Sequence, residues 1–261
     1  MNQSALSVHN LSKAFSGVQA ISEVSFDVPE GSLTALIGPN GAGKTTLFNI
    51  VTQLFKADTG QIKLFGESID TKSSQEIAAM GMIRTFQTAR TFPTMTALEN
   101  VLVGSHLMTE SSALKQMFWL KSARSEELKI RKKGQALLDL VGLSEFRNAP
   151  AGDLPMGAQK LLEVIRAMMA HPRVLLLDEP AAGLNDTETR ELAALLKAIK
   201  LTGVTLLVVE HNMSLVMSVA DQVIALDAGK IISSGSPMMV RNDPHVVEAY
   251  IGGRLEDEAN A

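Results

Sequence analysis

Two hydrophobic rhythms divide the chain. Near the N-terminus and over the last third, short apolar runs alternate with segments whose apolar residues return every three or four positions; the middle carries only the second rhythm. Residues 6–9, 21–28 and 61–65 read as strands, with turns at Gly17, Pro29-Glu30-Gly31 and Thr59-Gly60. An apolar strand over 33–37 ends at a Gly-Pro-Asn-Gly cluster. A helix over 44–54 follows, with Leu47, Ile50, Val51 and Leu54 on one face. From 96 to 142 the spacing predicts a separate helical lobe. It includes a charged amphipathic stretch over 123–141 and the cluster Met117, Phe118 and Trp119. Lys129, Arg131, Lys132 and Lys133 read there as a solvated helix face.

After residue 159, helices over 159–169, 187–200 and 212–220 alternate with strands over 174–178, 204–210 and 222–226. Short buried strands separated by helices imply an α/β fold whose parallel sheet is covered on both faces. The acidic end, 256–261, is expected to fray. No internal repeat or low-complexity segment interrupts this pattern.

Composition narrows the picture. The 261 residues are 46% apolar and 20% charged, which suits a globular chain and argues against a disordered or fibrous one. The absence of cysteine removes disulfide frameworks, cysteine zinc sites and thiol nucleophiles together. The five histidines are scattered, with no close pair at metal-ligand spacing. A net charge of −4 does not favour a nucleic-acid partner. The apolar runs over 174–177 and 206–209 are strand-sized, far short of the roughly 20 residues that span a bilayer. The first five residues lack the basic and apolar regions of a secretory signal. The chain is therefore expected in the cytosol, working at a membrane only through a partner.

Chemistry enters at Gly38-Pro39-Asn40-Gly41-Ala42-Gly43-Lys44-Thr45, a full match to G-x-x-x-x-G-K-[ST] placed between a strand and a helix, as that motif requires. Its glycines let the backbone wrap closely around phosphate oxygens, and successive N–H groups at a helix N-terminus point at the anion. Lys44 is expected to reach the β- and γ-phosphates, and Thr45 to hold Mg²⁺ through its hydroxyl. Downstream, the strand Val174-Leu175-Leu176-Leu177 delivers Asp178 and Glu179 at its C-terminal end, where open α/β sheets bind ligands. Asp178 suits a Mg²⁺ shell and Glu179 a general base toward water. Read alone, the same acids are ordinary strand-end residues that favour the next turn. His211 follows the strand over 204–210; it is either an ordinary strand-end histidine or one that reaches a γ-phosphate.

Taken in order, the phosphate loop, a lone Gln87 in Arg84-Thr85-Phe86-Gln87, the Leu-Leu-Asp-Glu-Pro strand and Glu210-His211 resemble the nucleotide-binding subunit of an ABC transporter. The resemblance runs from Leu6 to about Gly252. More narrowly, Arg84-Thr85-Phe86-Gln87, the run from Phe92 to Val101, Pro180-Ala181-Ala182-Gly183-Leu184-Asn185, Val208-Val209-Glu210-His211-Asn212-Met213 and the ending from Pro244 to Gly252 resemble LivG-type subunits of branched-chain amino-acid importers. The resemblance implies a P-loop NTPase with a RecA-like parallel-sheet core and an N-terminal antiparallel β subdomain over 1–88 and 160–255. It also implies an inserted helical subdomain over 89–159, all within one domain, 1–255, before the tail 256–261. By the same resemblance Phe15 stacks on adenine and Thr46 adds a phosphate contact. Gln87 touches Mg²⁺ and the attacking water, and His211 holds the γ-phosphate. Asn185 lies in the loop that crosses to a second subunit, and 92–100 faces a transmembrane permease. The cofactors implied are ATP and Mg²⁺. The partners implied are permease subunits, a second and related ATPase subunit and, indirectly, a solute-binding protein, at the cytoplasmic face of a membrane.

One segment departs from the family. Its signature reads roughly Leu-Ser-Gly-Gly-Gln, and in the family it caps the ATP of the opposite subunit. Here the aligned run is Leu154-Pro155-Met156-Gly157-Ala158, followed by Gln159. Pro155 has neither hydroxyl nor N–H, although proline suits a helix start and leaves the amide of Gly157 to face an anion. A weaker site capped by this segment, and a heterodimer that tolerates the asymmetry, are the expectation. The alternatives are an ABC ATPase for another solute (urea, short amides, an exported lipid), a non-transport ABC ATPase, and a kinase or GTPase using the same loop. The last lacks an Asn-Lys-x-Asp guanine motif here.

Overall fold

The computed structural model describes residues 3–85, 91–105 and 121–259, with side chains in 121–124 and 252–259 outside that description. Gln87, Met117, Phe118 and Trp119 therefore lie outside the described residues. The chain divides into two compact units. One comprises Met1–Arg84, Arg173–Ala182 and Leu196–Ala261; the other comprises Thr85–Pro172 and Gly183–Leu195.

The first unit begins with a long hairpin, β1 (Ser4–Phe15) and β2 (Val18–Pro29). Ser16 and Gly17, both at positive φ, make its two-residue turn, the geometry that matches the twist of paired strands. β3 (Leu33–Ile37), buried at every position, runs into the phosphate loop and α1 (Lys44–Val51). β4 (Thr59–Leu64) and β5 (Glu67–Ser68) complete an antiparallel sheet in the order β2-β1-β4-β5. The expected turn at Thr59-Gly60 is instead the start of β4. A Cβ on Gly60 would stand 2.6 Å from the carbonyl oxygens of His9 and Asn10, so this glycine lets two strands meet where the β1–β4 register shifts.

After α2 (Ser74–Ala79), β6 (Met82–Arg84) opens onto a second sheet. Its remaining strands are β3, β7 (Val174–Asp178), β8 (Thr205–Val209), β9 (Gln222–Asp227) and β10 (Lys230–Gly235). The order is β10-β9-β3-β8-β7-β6, parallel except for β10, which pairs antiparallel with β9. Leu6, Val8, Leu11, Leu47, Phe48, Ile50, Leu176, Leu207 and Ile224 share one core between the two sheets and α1. Each such side chain, fully buried, is worth about 1.5–3 kcal/mol. This core fixes α1, and hence the phosphate loop, against the sheet.

The second unit is helical among its described residues: α3 (Ala97–Val103), α4 (Lys121–Leu140), a 3₁₀ turn at Ala151–Asp153 and α5 (Met156–Met168). Thr96 and Glu99 form a reciprocal cap on α3. Asn100, fully buried, accepts from Phe92 N–H and donates to the carbonyls of Phe92, Met95 and Thr96, which pins the preceding turn. On α4, Lys129, Arg131 and Lys132 are exposed as expected, but Lys133 is not part of that face. Its ammonium donates to Met168 O at 3.0 Å and Met169 O at 3.4 Å, at the C-terminal end of α5, where cations satisfy the last carbonyls. Partial burial there lowers its pKa to about 8. Beyond come α6 (Asp186–Leu201), α7 (Met213–Val219), α8 (Pro237–Arg241) and α9 (Pro244–Ala259), so helical backbone continues through most of the stretch expected to fray. Among the described residues no helix is long and apolar enough to cross a membrane.

Candidate active site

Register builds the site. Leu36 of β3 lies beside Val209 of β8, and Val209 lies beside Asp178 of β7. The three strands therefore end together, and the residues that follow them emerge at one sheet edge: Gly38, Glu179 and Glu210-His211.

The phosphate loop takes its shape from three glycines at positive φ, Gly38, Gly41 and Gly43. A Cβ on Gly38 would stand 2.1 Å from Leu226 O, and one on Gly43 2.7 Å from Ala20 O, so neither position tolerates a larger residue. Pro39 is half-buried, Asn40 exposed and Ala42 buried. Lys44, buried, donates from Nζ to Gly38 O at 2.8 Å and Pro39 O at 2.9 Å, spanning its own loop. Burial lowers its pKa, while the nearby carboxylates Glu179 and Asp178 act in the opposite direction. Thr45 is exposed at the start of α1 and Thr46 half-buried behind it. Tyr250, far along the chain on α9, accepts the Gly38 N–H on its hydroxyl at 2.9 Å.

Asp178 is 2% exposed. Arg84 holds its Oδ2 at 3.0 Å, and the same guanidinium donates to Asn49 Oδ1 at 2.7 Å and Thr52 Oγ1 at 3.1 Å on the α1 side. It also lies 4.7 Å from the centroid of the Phe48 ring. Burial raises the Asp178 pKa, and Arg84 opposes that rise. Among the described residues, no hydrogen-bond partner meets the buried Oδ1 of Asp178. A buried carboxylate oxygen without a partner is costly unless something fills it, and a hard cation held by one carboxylate, a hydroxyl and substrate oxygens fits that need.

Glu179 sits in the left-handed region at φ 47°, uncommon for a residue with a side chain. Its N–H donates to Val209 O at 2.9 Å, and its carbonyl accepts from Ala182 N–H at 3.1 Å, closing a turn directly after β7. Its side chain is 24% exposed, and Oε2 lies 4.0 Å from His211 Nδ1. Glu210, between β8 and His211, is fully buried. The structure thus brings together Lys44, Asp178, Glu179 and His211.

Phe15 stands elsewhere in the same unit, at the end of β1. It is 41% exposed, edge-on to Phe55 with centroids 5.7 Å apart, and Lys13 Nζ lies 5.4 Å from its ring. Leu154, Pro155, Met156 and Gly157 belong to the second unit. Pro155 caps α5 with no side-chain hydrogen bond, Leu154 is buried and Met156 is 59% exposed. The Gly157 N–H, expected to face an external anion, already donates to Glu188 Oε1 at 3.2 Å. The other oxygen of Glu188 accepts from Asn185 N–H at 2.9 Å. Arg84, Glu188, Glu210 and Tyr250 are the contributors that sequence reasoning missed. Only Glu210 carried a signal, an acid placed between an apolar strand and His211.

Known proteins resemble the chain over nearly its whole length. Residues 21–182 match the family model described as ABC transporter, and residues 230–256 match one described as branched-chain amino acid ATP-binding cassette transporter. The chain is 41% identical over 253 residues to the high-affinity branched-chain amino acid transport ATP-binding protein BraF of Pseudomonas aeruginosa, covering 97% of this chain and 99% of that protein. It is 38% identical, over the same shares, to the corresponding protein LivG of Escherichia coli K12. Among solved structures, the ADP conformation of MJ1267, an ATP-binding cassette of an ABC transporter, superposes with a TM-score of 0.83 at 35% identity, covering 95% of this chain and 99% of that one.

Proposed function

The chain belongs to the ABC transporter family, as an ATP-hydrolysing cassette, and from that premise we propose that it energises the import of branched-chain amino acids. The observation that carries the reading is the convergence of Lys44, Asp178, Glu179 and His211 at one sheet edge beside a glycine-built loop. The near full-length likeness to BraF and LivG, with the separate match over 230–256, supports the solute class. Permease subunits, a second and related cassette and a solute-binding protein complete the machine. This chain sits peripherally at the cytoplasmic face of the membrane.

In this reading the N–H groups of Gly41, Ala42 and Gly43 and of α1 face the phosphates, and Lys44 moves its ammonium from the loop carbonyls onto the β- and γ-phosphate oxygens. Thr46 adds a phosphate contact, and Phe15 presents its ring to the adenine. Asp178 and Thr45 would hold Mg²⁺ through a carboxylate and a hydroxyl oxygen, with Gln87 as a further contact. Mg²⁺, when bound, polarises the phosphoryl oxygens. Glu179 takes the proton of the attacking water, and His211 orients the γ-phosphate. Phosphoryl transfer to water depends mainly on positioning and charge stabilisation, so a second cassette that covers the γ-phosphate completes the reaction centre. Leu154, Pro155, Met156 and Gly157 cap the nucleotide of that second cassette. Coupling to transport requires ATP to bind the closed pair more tightly than the open pair.

The test is Glu179→Gln in the assembled complex. MgATP binding is retained and turnover falls at least about 100-fold, the upper part of what a general base contributes. Turnover near wild type would remove Glu179 from that role. Uptake of leucine, isoleucine and valine is lost in cells carrying only this variant. Undiminished uptake of those solutes, with loss of urea or amide uptake, would replace the solute and leave the ATPase standing.

A further inference from the structure

One buried acid has no part in the chemistry above. Glu210 is 0% exposed and lies between two catalytic candidates. Its Oε1 accepts from Ala181 N–H at 2.7 Å. Its Oε2 accepts from His211 N–H at 3.1 Å and Asn212 N–H at 3.0 Å. Its own N–H donates to Leu36 O at 3.1 Å, on the strand that feeds the phosphate loop. A single carboxylate therefore joins the turn that begins at Glu179 to the segment that carries His211.

A carboxylate is an expensive choice for so dry a place. Burial raises the Glu210 pKa, and the three backbone donors and His211 work against that rise. A neutral amide of the same length could not accept from all three N–H groups, which lie on both oxygens. An ionised carboxylate holds all three N–H groups with charge-assisted bonds, which are shorter and stronger. What that grip secures is geometry. Glu179 is held at φ 47°, a backbone state that persists only where its surroundings determine it. His211, with a side chain 57% exposed, has its ring 4.0 Å from the Glu179 carboxylate.

We propose that Glu210 is a positioning residue for hydrolysis: its carboxylate clamps the 179–182 turn to the 211–212 segment and so sets the spacing between Glu179 and His211. This rests on the roles given to Glu179 and His211 above. Glu210 is fully buried and stands behind the site. It acts through those two residues, and a misplacement of about 1 Å at such groups costs on the order of 100-fold in rate.

The experiment measures kcat and the KM for ATP, together with MgATP binding, in the assembled complex for Glu210→Gln, His211→Ala, the double variant and Glu179→Gln. Either orientation of the introduced amide sets a donor against at least one backbone donor. The expected result for Glu210→Gln is a kcat lowered about 10- to 100-fold, with KM and MgATP affinity within about twofold of wild type. In the double variant the loss is smaller than the product of the two single losses, because the part that Glu210 exerts through His211 is already gone. A wild-type kcat, an equal loss in KM and kcat, or full additivity with His211→Ala would each overturn the proposal. If Glu210→Gln does not fold, Glu210→Asp keeps the charge and shortens the reach by one methylene, and it is read against the same criteria. Unimpaired Glu179→Gln and His211→Ala would overturn the underlying site assignment instead. Impairment of those two beside an unimpaired Glu210 variant would overturn only the clamp.

Discussion

The phosphate loop and the start of α5 are both places where a helix N-terminus offers amides to an anion, and they are furnished in opposite ways. At the loop the nearest charge is a cation. Lys44 rests on Gly38 O and Pro39 O, and its ammonium is already aimed at the loop's interior. At α5 the nearest charge is an anion. Glu188 takes the Gly157 N–H with one oxygen and the Asn185 N–H with the other. The first region is prepared for a ligand that brings negative charge; the second has supplied that charge from its own chain. A helix N-terminus alone thus says little about phosphate binding, and the side chains around it decide.

The largest effect that would break this contrast is at Lys44. Lys44→Ala is expected to weaken ATP binding by about 100-fold or more, equivalent to roughly 2.7 kcal/mol or more and within reach of a charge-assisted contact to two phosphates. Titration with a fluorescent ATP analogue checks it, and an affinity within twofold of wild type would show that the loop is not a phosphate site.

A different effect, on folding rather than on affinity, is expected at Arg84, which reaches Asp178 across 94 positions of sequence. Both side chains are poorly exposed, 12% for Arg84 and 1% for Asp178. Removing one partner of a buried pair strands the other charge and costs about 3–5 kcal/mol. Arg84→Met should therefore lower the melting temperature by roughly 6–15 °C, and MgATP should recover less of that stability than it gives the wild type. An unchanged melting temperature would show that Asp178 does not depend on this guanidinium.

These contacts mark where sequence reading stops. The strands over 33–37 and 174–178 were legible to the residue, because a run buried on both faces is nearly continuously apolar. The phosphate loop was legible because its chemistry is contiguous. β6 was not, since three residues carry no periodicity and are strand only because β7 lies beside them. Gly60 looked like a turn because its real reason, the carbonyls of His9 and Asn10, lies on another strand. Lys133 looked solvated because nothing local reveals the helix end it caps. The contacts that tie the site together are longer still: Glu210 to Ala181 spans 29 positions and Tyr250 to Gly38 spans 212. No pattern of hydrophobicity encodes them, because they are hydrogen bonds made after the strands have aligned.

The smallest expected effect sharpens the comparison most. Pro155 occupies the cap of α5 with φ −53° and ψ 152° and no side-chain hydrogen bond. That backbone is already what a serine cap adopts, so Pro155→Ser costs no rearrangement, and its hydroxyl can accept from the second or third amide of the helix. Such caps are worth about 0.5–2 kcal/mol relative to residues that cannot cap. The low end is expected here, because Glu188 already takes the Gly157 N–H and proline's fixed φ restricts the unfolded chain. The melting temperature should rise by about 1–3 °C. If the missing hydroxyl also limits the capping of a partner's nucleotide, the ATPase rate of the assembled complex rises by up to about tenfold, the reach of one hydrogen bond. A raised melting temperature with an unchanged rate would mean that this segment starts a helix and does no more. In that case the contrast with the phosphate loop is one of function as well as of charge.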